Sequence, residues 1–118
     1  MYSYRSLDAW KVAHQLSLKV LQKTDDHFHP RARSLFDQLR RASVSIEANI
    51  VEGYALQTKP QFRRHLRIAL GSGAETECFL ELVAAREYLP KDVVAESRDL
   101  TARSIGLVYG LLRYLGRS

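Results

Sequence analysis

The 118-residue chain has one cysteine, three prolines and six glycines. With Cys78 alone, no intrachain disulfide can form, and a reducing compartment is the expected setting. No apolar run approaches the roughly 20 residues needed to cross a bilayer. The opening stretch MYSYRSLDAW lacks a basic-then-apolar leader pattern, so a cytoplasmic protein with no membrane partner is expected. No segment alternates polar and apolar residues with period two over a useful length, which argues against strands. There is no Gly-rich phosphate loop, no C-x-x-C, no H-E-x-x-H and no nucleophile elbow. No catalytic residue, no metal site and no cofactor are therefore expected.

What is present is helical periodicity. Scarce glycine and proline leave four long stretches, expected as helices over about 6–25, 32–56, 59–88 and 91–115 in a single domain, 1–118. Ser6 reads as an N-cap with Asp8 in the first turn. Leu7, Trp10, Ala13, Leu16, Ser17, Val20 and Leu21 make the first apolar stripe. Asp26 to Pro30 reads as a loop. The second stripe is Leu35, Leu39, Ala42, Ile46, Asn49, Ile50 and Gly53, with Gly53 a natural C-terminal residue. Thr58-Lys59-Pro60-Gln61 is a capping box opening the third helix. Its stripe runs Phe62, Leu66, Ala69, Leu70, Gly73, Glu77, Leu80 and Ala84. In the fourth helix Val94, Ser97, Thr101, Ser104, Ile105, Val108, Leu111, Leu112 and Leu115 face inward, and Gly116 ends it. Four amphipathic helices with short connections predict an all-α, up-down-up-down antiparallel four-helix bundle.

Some residues fit that plan at a cost. Gly71-Ser72-Gly73-Ala74 lies within the third helix, where each glycine costs about 0.5–1 kcal/mol relative to alanine. Close approach of a neighbouring helix backbone accounts for it better than a ligand site. Asn49 and Glu77 fall on apolar stripes and are expected to bond to each other or to a helix end. Val12, Leu18, Val44, Val51 and Leu107 lie off the main faces, which predicts self-association. His27 and His29, beside Asp25 and Asp26, lack a third committed ligand. Cys78 reads as an inert packing residue. Trp10, Tyr54, Tyr88, Tyr109 and Tyr114 read as core or interface anchors.

The formal charge is +5, and all of that excess lies in residues 31–67, with eight basic and three acidic side chains. Arginine outnumbers lysine thirteen to five, and arginine suits bidentate phosphate or carboxylate contacts. Arg40 and Arg41 on the second helix and Arg63, Arg64 and Arg67 on the third are the candidate nucleic-acid-binding residues. A solvated helix face is the competing reading. His65 stands among them, either as a phosphate contact or on a solvated helix position.

The chain also resembles the four-helix-bundle family named after proteins encoded in intervening sequences of bacterial 23S ribosomal RNA. The matching text is Tyr4-Arg5-Ser6-Leu7-Asp8-Ala9-Trp10, then Gln38-Leu39-Arg40-Arg41-Ala42-Ser43-Val44-Ser45-Ile46 and Asn49-Ile50-Val51-Glu52-Gly53. Phe62, Ile68-Ala69-Leu70-Gly71-Ser72 with Glu75 and Glu77, and Glu87-Tyr88-Leu89 extend it over nearly the whole chain. The departures are Glu47 where the family often has proline, Val51 where alanine is usual, and a third-helix entry that loses a carboxylate. The resemblance implies a homopentamer around a central channel. One branch of the family is the accessory protein of diversity-generating retroelements, and through it the resemblance implies an RNA or DNA partner and an associated reverse transcriptase.

Two functional readings follow. In the first, an arginine-rich face repeated around an oligomer binds RNA or DNA without reading sequence. In the second, the arginines bridge to Glu75, Glu77 or Glu81 of the next subunit, and the protein is a structural assembly factor. A carboxylate enzyme at Glu75 and Glu77 is disfavoured, because residues two apart on a helix do not face each other.

Overall fold

Helix formation follows capping chemistry where the chain offers it. Thr58, in extended conformation, accepts a hydrogen bond from the Gln61 amide through its hydroxyl at 3.3 Å, and Pro60 sits in the first turn that follows. The computed structural model describes residues 3–116. Its α-helices are α1 Asp8–Asp26, α2 Arg33–Ala55, α3 Lys59–Ala85 and α4 Lys91–Leu115. Short 3-10 turns at Tyr4–Ser6 and Pro30–Ala32 lead into α1 and α2, and no strand occurs among the described residues. Each helix packs on its two neighbours, α1 on α2 and α4, and α3 on the same pair. Along α2 and α3, Arg41 meets Glu75, Ser45 meets Ser72 and Asn49 meets His65. Numbers rise on one helix as they fall on the other, so the pair is antiparallel. The architecture is the expected up-down-up-down bundle, 47 Å long and 21 × 20 Å across.

The helix ends depart from the sequence reading in physically instructive ways. Ser6 does not cap α1. Ser3 caps the 3-10 turn through its hydroxyl, and α1 starts at Asp8 after Leu7, with no side-chain cap. Helix α3 stops at Ala85, before the residue-88 limit expected from Leu89-Pro90, because a Schellman closure intervenes. The Tyr88 amide donates to the Val83 carbonyl at 3.0 Å and the Glu87 amide to the Ala84 carbonyl at 3.1 Å. Glu87 takes the left-handed position of that motif at φ 56°, where a Cβ costs about 1–2 kcal/mol. Replacing Glu87 by glycine is expected to raise stability by about 0.5–1 kcal/mol, part of the relief being lost to unfolded-chain entropy. A urea midpoint that stays put or falls would rule out strain at this residue.

The buried faces are largely those expected, with local exceptions. On α2 the N-terminal anchor is Phe36, fully buried, while Leu35 only packs against the core edge. On α3, Thr76 and Val83 are buried and Glu77 is exposed, so Glu77 is not on the inner face and does not bond to Asn49. Cys78 is exposed and no packing residue. Val12 is buried and Leu107 packs on the core, which moves both from the off-face group into the α1–α4 seam. Leu18 does stay outside, at 55% exposure.

Small hydroxyl residues are buried at no polar cost because they bond back along their own helix. Ser17, Thr24, Thr76, Ser97, Thr101 and Ser104 each donate to the carbonyl four residues earlier. Among the described residues no buried side-chain polar atom lacks a partner.

The glycines have separate jobs. Gly53 lies in the last turn of α2, which ends at Ala55, between Gly53 and Gln57 as expected, and a Cβ there would come within 2.7 Å of the His65 Cβ. Gly73 receives a side chain, not a helix backbone: a Cβ there would lie 2.7 Å from Ile105 Cγ1. Gly71 faces open space.

Candidate nucleic-acid interface

The five arginines do not form one patch. Arg40 is half-buried at the α1–α2 seam, where its Nε donates to the Thr24 hydroxyl at 2.9 Å and its Nη1 to Asp37 at 3.1 Å. Arg41 bridges α2 to α3 through Glu75 at 3.0 Å. One sequence-based expectation was that this carboxylate would serve the next subunit, but Glu75 accepts from Arg41 of its own chain. Both arginines thus have acidic or hydroxyl partners that fix helix positions.

Arg63, Arg64 and Arg67 stand apart from them. Eight residues of α3 separate Arg67 from the level of Glu75, or about 12 Å along the helix axis. At 100° per residue the three fall within an arc of about 100° on the first turns of α3. Arg64 and Arg67 are exposed and Arg63 is half-buried. Among the described residues none of the three has an ion pair. Arg64 continues into an outward stripe of α3, at Ile68, Gly71, Glu75, Cys78 and Leu82, in which Ile68 and Leu82 are large exposed apolar side chains.

His65 lies between these arginines in sequence but not in space. It is buried, at 6% exposure, and is neither a solvated position nor a phosphate contact. Its Nδ1 lies 3.0 Å from Asn49 Oδ1. Asn49 Nδ2 already donates to the Ser45 carbonyl and hydroxyl, so its Oδ1 accepts and His65 Nδ1 carries the proton. Glu52 lies 3.9 Å from His65 Nε2, and Gly53 leaves room for the His65 Cβ. The stretch Asn49-Ile50-Val51-Glu52-Gly53 therefore places three of its residues around one histidine of α3. The sequence signal for this was the antiparallel register, in which residue numbers on α2 and α3 sum to a near-constant value.

Other candidates are also located. Among the described residues no three His, Cys, Asp or Glu side chains gather as a metal site, so His27 and His29 gain no third ligand. Tyr88 is held edge-on by Phe36 and His29. Its hydroxyl accepts from Arg86 Nε at 3.4 Å, and that bond raises the Arg86 guanidinium above its ordinary pKa. Tyr109 and Tyr114 are exposed. No helix among the described residues is long and apolar enough to cross a membrane. What the surface offers chemically is fixed positive charge on the first turns of α3, suited to phosphate oxygens.

A sequence model of the family described as 23S rRNA-intervening sequence protein matches residues 5–110. No curated protein matches the chain. A solved structure from Bacteroides thetaiotaomicron VPI-5482, described as a protein with unknown function from the S23 ribosomal protein family, is similar to it with a TM-score of 0.78. Identity is 21%, covering 88% of this chain and 97% of that one, and at this identity the likeness concerns the fold alone.

Proposed function

The chain belongs to the 23S rRNA-intervening sequence protein family, and we propose that it acts as a homo-oligomeric, non-enzymatic bundle that binds RNA or DNA without reading sequence. The observation that carries this reading is the division among the arginines. Arg40 and Arg41 are engaged within the chain, whereas Arg63, Arg64 and Arg67 have no acidic partner among the described residues. Unpaired arginines clustered on two turns of one helix provide phosphate contacts without base readout. Self-association is supported by the exposed Ile68, next to Arg67, and by the exposed Leu82 further along the same helix. Repetition of the trio around an oligomer would strengthen its field.

The test is affinity for single-stranded RNA and DNA of mixed sequence as a function of salt. The wild-type protein is expected to show a steep negative slope of log affinity against log salt. Changing Arg63, Arg64 and Arg67 together to alanine should make that slope shallower by about 0.7–0.9 for each phosphate they neutralise. Absent or salt-insensitive binding by the wild-type protein would reject the reading. A second reading, an assembly factor whose arginines bridge subunits, draws on the same exposed apolar stripe. It predicts instead that the triple variant loses its oligomeric state.

A further inference from the structure

We propose that the end of the bundle remote from the arginine trio holds a binding site for a small amphipathic anion with one anionic group, a carboxylate or phosphate monoester on an aromatic or aliphatic body. A cavity of about 590 Å³ opens there, between the end of α3, the turn into α4, the first turns of α4 and His27 at the close of α1. That volume is in the range of small-molecule sites, which are mostly apolar with a few placed polar groups. Its apolar wall is Ala84, Leu89, Val94 and Ala95, with Leu89 and Val94 buried. Tyr88 adds a ring already fixed by its contacts with Phe36 and His29.

Two cations face this wall. Lys91 and Arg98 both line the cavity, and neither side chain has a hydrogen bond or ion pair among the described residues. Seven residues apart, they share a face of α4 with a separation of about 10 Å along its axis. The Cα–Cβ bonds of a helix tilt toward its N-terminus, so the long Arg98 side chain extends back toward Lys91 over Val94 and Ala95. An anionic group between them would meet charge-assisted donors, and its body would cover the apolar wall. Glu87, in its left-handed conformation, also lines the cavity and disfavours a second anionic group. The site thus selects a single anionic group over a polyphosphate chain. Arg63 and Ala85, the last residue of α3, lie 22 residues apart on the helix, about 33 Å, so the site stands or falls independently of the nucleic-acid reading.

The experiment titrates the full chain with phenyl phosphate and with benzoate, following backbone amide shifts by NMR. Saturable shifts are expected at Tyr88, Leu89 and Val94. Arg98→Ala should weaken binding about tenfold or more, with its melting midpoint unchanged because Arg98 is exposed. Benzyl alcohol, the neutral counterpart, and inorganic phosphate, the anion without a body, should each bind about tenfold more weakly than phenyl phosphate. The proposal is overturned if neither aromatic anion saturates at millimolar concentration or if Arg98→Ala binds as well as the wild type. Equal binding of benzyl alcohol or of inorganic phosphate overturns it too, as do shifts confined to the first turns of α3.

Discussion

Replacing Phe36 by alanine should destabilise the bundle by about 3–5 kcal/mol, the range for removing a fully buried ring from a core that cannot collapse around the space. Phe36 heads the fully buried side chains by volume, and its ring meets Tyr88 edge-to-face with centroids 6.2 Å apart. Such a pair contributes about 0.5–1.5 kcal/mol beyond the area it buries. Set against a total stability of about 5–15 kcal/mol for a domain, the change should bring the urea midpoint down sharply. The neighbouring Leu35→Ala is the control. Leu35 only flanks the core, so its loss should cost about 1 kcal/mol. Equal losses, or a larger one for Leu35, would show that the inner face of α2 is centred one residue earlier than the structure places it.

Gly53→Ala should also destabilise, by about 1–3 kcal/mol net. The added Cβ would lie 2.7 Å from the His65 Cβ and 3.1 Å from Phe62 Cδ1. A Cβ atom has no rotamer by which to move aside, so α2 and α3 would have to separate. Separation stretches the hydrogen bond between His65 and Asn49, and His65 is buried. Alanine's better helix propensity, about 0.5–1 kcal/mol, offsets only part of this. The same exchange at Gly71 has the opposite expected sign. A Cβ there meets nothing within 4 Å, so only the propensity gain remains, about 0.5–1 kcal/mol. Calorimetric melting of the two variants beside the wild type decides the matter. A neutral or stabilising Gly53→Ala would mean that the helices do not approach closely at that point.

The candidate site was legible only in part. That the arginines exist, that five of them sit on two helices, and that Arg63 and Arg67 lie one turn apart can be read from spacing. Spacing is silent on partners. Arg40 finds Thr24 from a helix sixteen residues away, and Arg41 finds Glu75 thirty-four residues on. Neither meeting has any local trace. His65 shows the same limit more sharply: its neighbours in sequence are cations, but its neighbours in space are an amide, a carboxylate and a glycine.

The helix count, the antiparallel order and the starting point of α3 were determined by the sequence itself. They rest on local physics: apolar residues at three- and four-residue steps, a threonine hydroxyl bonding to an amide three residues on, and connections too short for any but antiparallel neighbours. The choice between adjacent residues for the inner face of α2 and α3 was decided only by the tertiary structure. Leu35 against Phe36, and Glu77 against Thr76, differ by one residue, or about 100° of rotation. A stripe containing both members of such a pair looks equally periodic either way. The choice is made by volume and hydrogen bonding where helices touch: a ring that fills the core beside Tyr88, a threonine that can bond back to Ser72, and two glycines that admit His65 and Ile105. Those are properties of pairs of helices, and they come into being only when the helices meet.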